Sequence, residues 1–384
     1  MKFFHLSDLH IGIRLFEHDL REDQEYIFDQ IIQTAVRQQP DAVVIAGDIY
    51  DKSIPAAEAV TLFDRFVGAL LEALPQAELL IISGNHDSAP RLDLFRDILS
   101  RQRVHMIGLP PMEADDHIEK VTLTDQYGPV NFYLLPFVKP SFLRKVIGTD
   151  EKGGSFSYDE AVRRLLARED IDTTQRNVLV SHQFYLPVGK DPASVERARN
   201  EVTTVGNIDS ISADVLTPFD YAALGHIHKP MKAGSEVWRY CGTPLPYSVS
   251  EAGQQKGILQ VEMGEKGQVS TTVLPLTPLR QVRIITGSLA QVLAQACGDF
   301  VTVQLTDEVD LDVVDLQDRL HAAFPYLLEI RRTAAHSPDS DGAAQQLAQE
   351  LDPFQLCCSF LGELDQESLD ILQDVINSVQ EVQA

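Results

Sequence analysis

Lys2-Phe3-Phe4-His5-Leu6-Ser7-Asp8-Leu9-His10 is the stretch on which the reading of this chain turns. A short apolar run predicts a core strand, and the Asp-x-His that follows puts two metal-type ligands just past its carboxyl end. The pattern recurs. The run at 42–46 leads into Gly47-Asp48-Ile49-Tyr50-Asp51, and 79–82 leads into Gly84-Asn85-His86-Asp87. The run at 178–180 leads into His182-Gln183, and 221–224 leads into Gly225-His226-Ile227-His228. Open α/β sheets gather their ligands outside the carboxyl ends of the strands. The glycines ahead of Asp48, Asn85 and His226 suit sharp turns and close backbone approach.

Outward from these strands, helical periodicity fills the gaps. Ile27, Ile31 and Ala35 form one stripe, with Phe28, Ile32 and Val36 beside it. A second helix follows Pro55, a residue suited to a first helical turn, and carries Leu62, Phe66 and Leu70. With a sixth apolar run at 132–135, this predicts an α/β core whose strands are buried by flanking helices. After Trp238 come turn-rich strand patterns at 257–262 and 271–274, then Pro275 and Pro278, which mark a boundary. A smaller α+β unit is expected to 332, with strands near 281–285 and 300–305 and a helix over 313–324. The expected organisation is therefore a main domain at 1–276, a small domain at 277–333, a linker at 334–350 and C-terminal helices at 351–384. In that last stretch Phe354, Cys357, Leu361 and Leu364, then Leu369, Leu372, Ile376 and Val379, form apolar stripes.

Composition narrows the class. Hydrophobic content of 44% is ordinary for a globular chain of 384 residues. Neither a signal peptide nor an apolar run of the roughly 20 residues needed for a membrane span is seen. Four cysteines without a C-x-x-C pair read as free thiols in a reducing, cytoplasmic setting. The net charge of −25 argues against a broad basic face that grips nucleic acid, but the acidity is uneven. Residues 341–384 contain no Lys or Arg.

The candidate ligands are Asp8, His10, Asp48, Asn85, His182, His226 and His228: four imidazoles, two carboxylates and a carboxamide. Such a mixed set suits Mn²⁺, Fe²⁺ or Zn²⁺ better than Ca²⁺ or Mg²⁺. Seven ligands are too many for one ion with an open position. They suffice for two ions about 3.5–4 Å apart that share a carboxylate and clamp an in-line phosphoryl displacement. His5 reads as a core residue, and His18, His105, His117, His321 and His336 as surface groups.

The string D-x-H, G-D-x-x-D, G-N-H-D, H and G-H-x-H resembles the calcineurin-like metallophosphoesterases. Ser7-Asp8-Leu9-His10-Ile11-Gly12, Ala46 to Asp51, Ser83 to Ser88 and Leu224 to Pro230 are similar to one branch of that family, the SbcD nuclease subunits of bacterial SbcCD complexes. Cys241-Gly242-Thr243-Pro244-Leu245-Pro246-Tyr247-Ser248, Glu251 to Gly257 and Phe324 to Ile330 are similar to it too. The resemblance implies a β-sandwich flanked by helices, with a small α+β capping domain and a C-terminal helical segment that binds a partner. It implies that Asp8, His10 and His228 hold one ion, that Asn85, His182 and His226 hold the other, and that Asp48 bridges them, the ions being most plainly Mn²⁺. His86 would act without binding metal, on the leaving oxygen or the transition-state phosphate. Asp87 would support His86 or simply cap a helix. Asp51 stands where some relatives carry a second non-ligating histidine.

The activity implied is double-strand exonuclease and single-strand or hairpin endonuclease in DNA end processing, recombination and repair, in the nucleoid-associated cytoplasm. The partners implied are a second copy of the nuclease and the ATPase SbcC, two of each. Lys139, Arg144, Lys145, Lys190, Arg197, Arg199, Lys229 and Lys232 are candidate phosphate contacts or ordinary solvated residues. A phosphatase for small esters or phosphoproteins would share the core motifs but has no need of the extra domain. A non-catalytic DNA tether would have no need of His86.

Overall fold

The computed structural model describes residues 1–191, 195, 209–307 and 313–332, with 357, 358, 360, 361, 368, 369, 372, 375 and 376. The expected linker, most of the terminal stripes, Arg197, Arg199 and His336 lie outside the described residues. Two compact units are present, one of Met1–Glu201 with Asp209–Arg283 and one that includes Ile284–Ala384.

In the first unit, strands and helices alternate as β1 (Lys2–Leu6), α1 (Arg21–Gln38), β2 (Ala42–Ala46), α2 (Ala57–Ala73), β3 (Glu78–Ile82) and β4 (Val104–Ile107). The four strands pair in parallel in chain order. The chain then builds a second sheet from β5 (Glu119–Asp125), β6 (Gly128–Leu135), β7 (Arg176–Ser181), β8 (Tyr221–Leu224), β9 (Met231–Lys232) and β10 (Trp238–Tyr240), with helix α3 (Tyr158–Arg168) between β6 and β7. Its order is β9-β10-β8-β7-β6-β5, and its centre is parallel. Finally β11 (Lys256–Met263) and β12 (Val269–Leu276) return to the first sheet and extend it antiparallel beyond β1.

The six apolar runs thus divide between two sheets, three in each. Alternation along a strand explains how they close on one another. Phe3, Val44 and Leu80 share a core with Phe132, Val178, Val180 and Tyr221 of the other sheet. The Phe3 ring meets Phe132 and Tyr221 edge-on at 5.3 and 5.6 Å. Residues of the other parity, Phe4, Val43, Ile45, Leu79 and Ile81, are buried as well, so the first sheet is covered on both faces. Helices α1 and α2 supply the apolar stripes for that cover, and Phe28 stacks on Phe66 at 4.5 Å. Two details differ from the sequence reading. Val36 is half exposed, because the buried stripe runs 27, 28, 31, 35 and leaves it a step too far round. Pro55 stands before the helix, whose N-cap is Ala56. Helix α3 packs Val162 and Leu165 with Leu179 and Tyr240 on the outer face of the second sheet.

The second unit has a three-stranded sheet in the order β13 (Val282–Gly287), β14 (Phe300–Leu305), β15 (Tyr326–Arg332), with α4 (Val313–Ala323) ahead of β15. Its core includes Ile285, Val292, Val301, Leu320 and Phe324. No helix among the described residues is long and apolar enough to cross a membrane.

Candidate metal centre

The loops that leave β1, β2, β3, β7 and β8 meet at the carboxyl ends of both sheets. The first two are laced together. Backbone N–H groups of Asp8, His10 and Ile11 donate to the carbonyls of Gly47, Asp48 and Ile49 at 2.9–3.0 Å. Asp8, His10, Asp48 and His226 all hold positive φ, at 52°, 42°, 51° and 94°. That region costs an ordinary residue about 1–3 kcal/mol, and such strain clusters at functional sites.

Two glycines answer to close approach. A Cβ on Gly84 would lie 2.1 Å from Asp48 Oδ1, and one on Gly225 would lie 2.0 Å from the Ala46 carbonyl oxygen. These contacts are the reason each ligand is preceded by a residue without a side chain.

All seven candidate ligands come together, Asn85 less buried than the rest. His182 donates from Nδ1 to the Ala46 carbonyl at 2.7 Å, which turns Nε2 toward Asn85 Oδ1 at 3.1 Å and Asp48 Oδ2 at 3.2 Å. His226 Nδ1 lies 2.9 Å from Asn85 Oδ1. On the other side His10 Nε2 lies 3.1 Å from His228 Nε2 and 3.5 Å from Asp48 Oδ2. Asp8 accepts from the His226 backbone N–H at 3.0 Å and from the Ser7 hydroxyl. Ligand atoms of Asp8, His10 and His228 lie within 4.8 Å of one another, as do those of Asp8, Asp48 and His182 and those of His10, Asp48 and His86. Overlapping triads that share Asp8 and Asp48 fit two ions better than one. Buried imidazole nitrogens facing each other at hydrogen-bond distance are the donor set a divalent ion satisfies.

Electrostatics follow from burial and mutual charge. Burial and the neighbouring Asp48 raise the Asp8 carboxyl to about 6. Burial opposes ionisation of Asp48 too, but the His182, His86 and His10 imidazoles outweigh it and hold that carboxyl well below its usual range. Burial opposes a charge on His182, yet Asp48 and Asp8 raise it to about 9. Burial, helped by the His86 and His182 charges and opposed by Asp48, takes His10 down to about 3, and burial with His10 nearby depresses His228. His86 is less buried. Against desolvation, Asp48 and the Asp51 carbonyl raise its pKa. Its Nδ1 contacts that carbonyl at 2.9 Å, which leaves Nε2 available.

Asp87 does what neither sequence reading foresaw. Its carboxylate accepts backbone N–H groups of Ile49 at 3.0 Å, Tyr50 at 2.9 Å and Gly84 at 2.9 Å. It clasps the β2 and β3 loops together. The N-cap of the helix that follows is Ser88. Its charge still adds to the raised His86 pKa, after the larger influence of Asp48 and Asp51.

Sequence reasoning missed the groups behind the site. Glu251 and Lys256 are buried beneath His228, and Gln24 and Tyr247 are buried beneath the Asp8–His10 loop. Charged and amide residues read as surface in a sequence; the motifs at 241–248 and 251–257 set Tyr247, Glu251 and Lys256 apart, and nothing did so for Gln24. His5, His105 and His117 are held by partners of their own. Burial takes His5, paired with the Tyr221 hydroxyl at 3.0 Å, down to about 3. His105 and His117 pair with Glu78 and Glu169.

Residues 1–230 match the family model described as calcineurin-like phosphoesterase, and 276–363 match the one described as type 5 capsule protein repressor C-terminal domain. The chain is 32% identical over 290 residues to the D subunit of the nuclease SbcCD from Staphylococcus saprophyticus, covering 75% of this chain and 72% of that protein. Among solved structures, a Thermus thermophilus protein aligns with a TM-score of 0.39 at 11% identity, covering 71% of this chain and 98% of its own. A dimetal phosphatase from Danio rerio aligns with a TM-score of 0.38 at 15% identity, over the same shares of the two chains.

Proposed function

The chain belongs to the calcineurin-like phosphoesterase family, among the SbcD nuclease subunits, and from that premise we propose that it cleaves DNA phosphodiester bonds with two Mn²⁺ ions. The observation that carries this is the convergence of the seven side chains: Asp8, His10, Asp48, His182 and His228 fall in overlapping triads, and Asn85 Oδ1 lies 3.1 Å from His182 Nε2 and 2.9 Å from His226 Nδ1. Asp8, His10 and His228 would hold one ion and Asn85, His182 and His226 the other, with Asp48 serving both. Bound there, the ions supply Lewis acidity to both the attacking and leaving sides of an in-line displacement.

The chain's own groups do the rest. The Asp8 carboxylate and Ala46 carbonyl fix His226 and His182 in place. His86 is anchored at Nδ1 by the Asp51 carbonyl, and Asp48 and that carbonyl raise its pKa against burial, which suits it to give a proton from Nε2 to the leaving oxygen. Asp87 positions the two loops that carry Asp48 and His86, and lends charge to the latter. Asp51 lends its backbone carbonyl here, where some relatives use a second imidazole.

The wider assembly is proposed on the same footing. Two copies of the chain pair with two copies of the ATPase SbcC in the cytoplasm. Residues 277–333 cap and steer DNA. Residues 351–384, beyond a linker at 334–350, bind SbcC. Phosphate contacts by Lys139, Lys190 and Lys229 position the duplex without reading sequence. Lys145 and Lys232 are each paired with a glutamate, which offsets their charge.

The test is cleavage of a hairpin-ended duplex by the purified chain, with and without SbcC and ATP, in Mn²⁺ and in Mg²⁺. Nicking at the hairpin and shortening of the duplex, greater in Mn²⁺ and stimulated by SbcC, are expected. Intact DNA under all conditions alongside rapid turnover of small phosphate esters would overturn the DNA assignment.

A further inference from the structure

The stretch 243–256 bears no candidate ligand, yet its buried Thr243, Tyr247, Glu251 and Lys256 form a polar strap behind two of them, His10 and His228. At one end Lys256 Nζ donates to the His228 carbonyl at 3.0 Å and to Glu251 Oε2 at 2.5 Å. Thr243 adds its backbone N–H to the same carbonyl at 3.1 Å and its hydroxyl to Glu251 Oε2 at 3.0 Å. Glu251 Oε1 accepts the Tyr247 N–H at 3.2 Å and lies 4.0 Å from His228 Nδ1, the ring nitrogen away from His10. At the other end the Tyr247 hydroxyl donates to the Leu9 carbonyl at 2.6 Å and accepts from Gln24 Nε2 at 3.2 Å. Gln24 Nε2 in turn reaches the Leu9 and His10 carbonyls at 3.1 and 2.9 Å.

The strap therefore runs from the backbone of His10 to the backbone of His228 with no gap. His182 and His226 are held from elsewhere, by the Ala46 carbonyl and the Asp8 carboxylate. A buried ion pair such as Glu251–Lys256 is a poor source of stability, because desolvating two charges cancels most of their attraction. What it does supply is geometry.

We propose that this strap is the positioning frame of one ion site only, that of Asp8, His10 and His228, with Glu251, Lys256 and Tyr247 as positioning residues; the inference rests on the two-ion reading above. Glu251 also sets a carboxylate 4.0 Å from His228 Nδ1, outside hydrogen-bond distance, so it acts on this ligand through the charge it places behind the ring and through the His228 backbone. Loss of groups that orient a metal ligand typically weakens metal affinity about 10–100-fold.

The experiment uses the full chain, stripped by a chelator and titrated with Mn²⁺ alone, with bound ions counted by equilibrium dialysis and their pairing read by electron paramagnetic resonance. Lys256→Met alone strands a buried carboxylate, so the variant of choice is Glu251→Gln with Lys256→Met, which removes both charges. Tyr247→Phe tests the far end of the strap. Wild type is expected to bind two ions with a spin-coupled spectrum. Each variant should bind one ion as wild type does and the second about 10–100-fold more weakly, giving an uncoupled signal at equal manganese. Two ions bound as in wild type by both variants, or equal weakening of both ions, overturns the strap while the two-ion reading stands. Fewer than two ions in wild type overturns that reading itself.

Discussion

At the residue scale, His86 and His182 divide the work of protons. His86 touches no ion in the proposed scheme, so His86→Ala should lower cleavage about 10²–10⁴-fold while leaving bound manganese unchanged by elemental analysis. His182 behaves oppositely. In the ion-free protein its pKa is raised, against burial, by Asp48 to about 9, so at neutral pH it carries a proton that an ion must displace. Manganese binding near pH 7.5 should release about one proton per chain, seen by calorimetry in buffers of different ionisation enthalpy, and affinity should climb until about pH 9. The sign for stability is the reverse. A histidine with a raised folded-state pKa stabilises the fold fully below its unfolded value of about 6.5 and loses that contribution as pH rises through 9. Melting temperature of the stripped protein should therefore fall between pH 6.5 and 9. A flat profile would place the proton elsewhere.

At the scale of elements, the six strands were legible because each is an unbroken apolar run ended by a ligand-bearing turn. Their division into two sheets came only with the family resemblance, which implies a β-sandwich, since periodicity says which residues are buried but not which strands pair. Helix α3 went unread although Ser157 and Glu160 signal its start; the Ser157 hydroxyl accepts the Glu160 N–H. The Asp87 clasp was hidden for a different reason. Two of its three partners are backbone amides 37 and 38 residues away, which no side-chain pattern records. Asp87→Asn sets an amide donor against those N–H groups and should cost about 1–3 kcal/mol in urea denaturation. At the α1–α2 contact, Phe28→Ala removes a stacked ring and should cost about 3–5 kcal/mol, with the metal content of the surviving folded fraction unaltered.

Across the whole molecule, the acidity that as a bulk figure speaks against DNA is concentrated, in part, at the centre itself and in residues 341–384. Binding of ions only to the folded chain adds stability by mass action, about 2.7 kcal/mol when free ion is a hundred times its dissociation constant. Chelation should therefore lower the unfolding temperature, and Mn²⁺ should restore it in proportion to the logarithm of its concentration. An unchanged transition would mean that the unfolded chain binds ions equally well.

The lacing of the first two loops has a kinetic consequence. Because the amides of Asp8, His10 and Ile11 are bonded to carbonyls of the neighbouring loop, the cage stands ready before any ion arrives. Entry is then governed by how fast an ion sheds its hydration water, not by chain rearrangement. Deuterium uptake at those three amides should be equally slow in stripped and loaded protein.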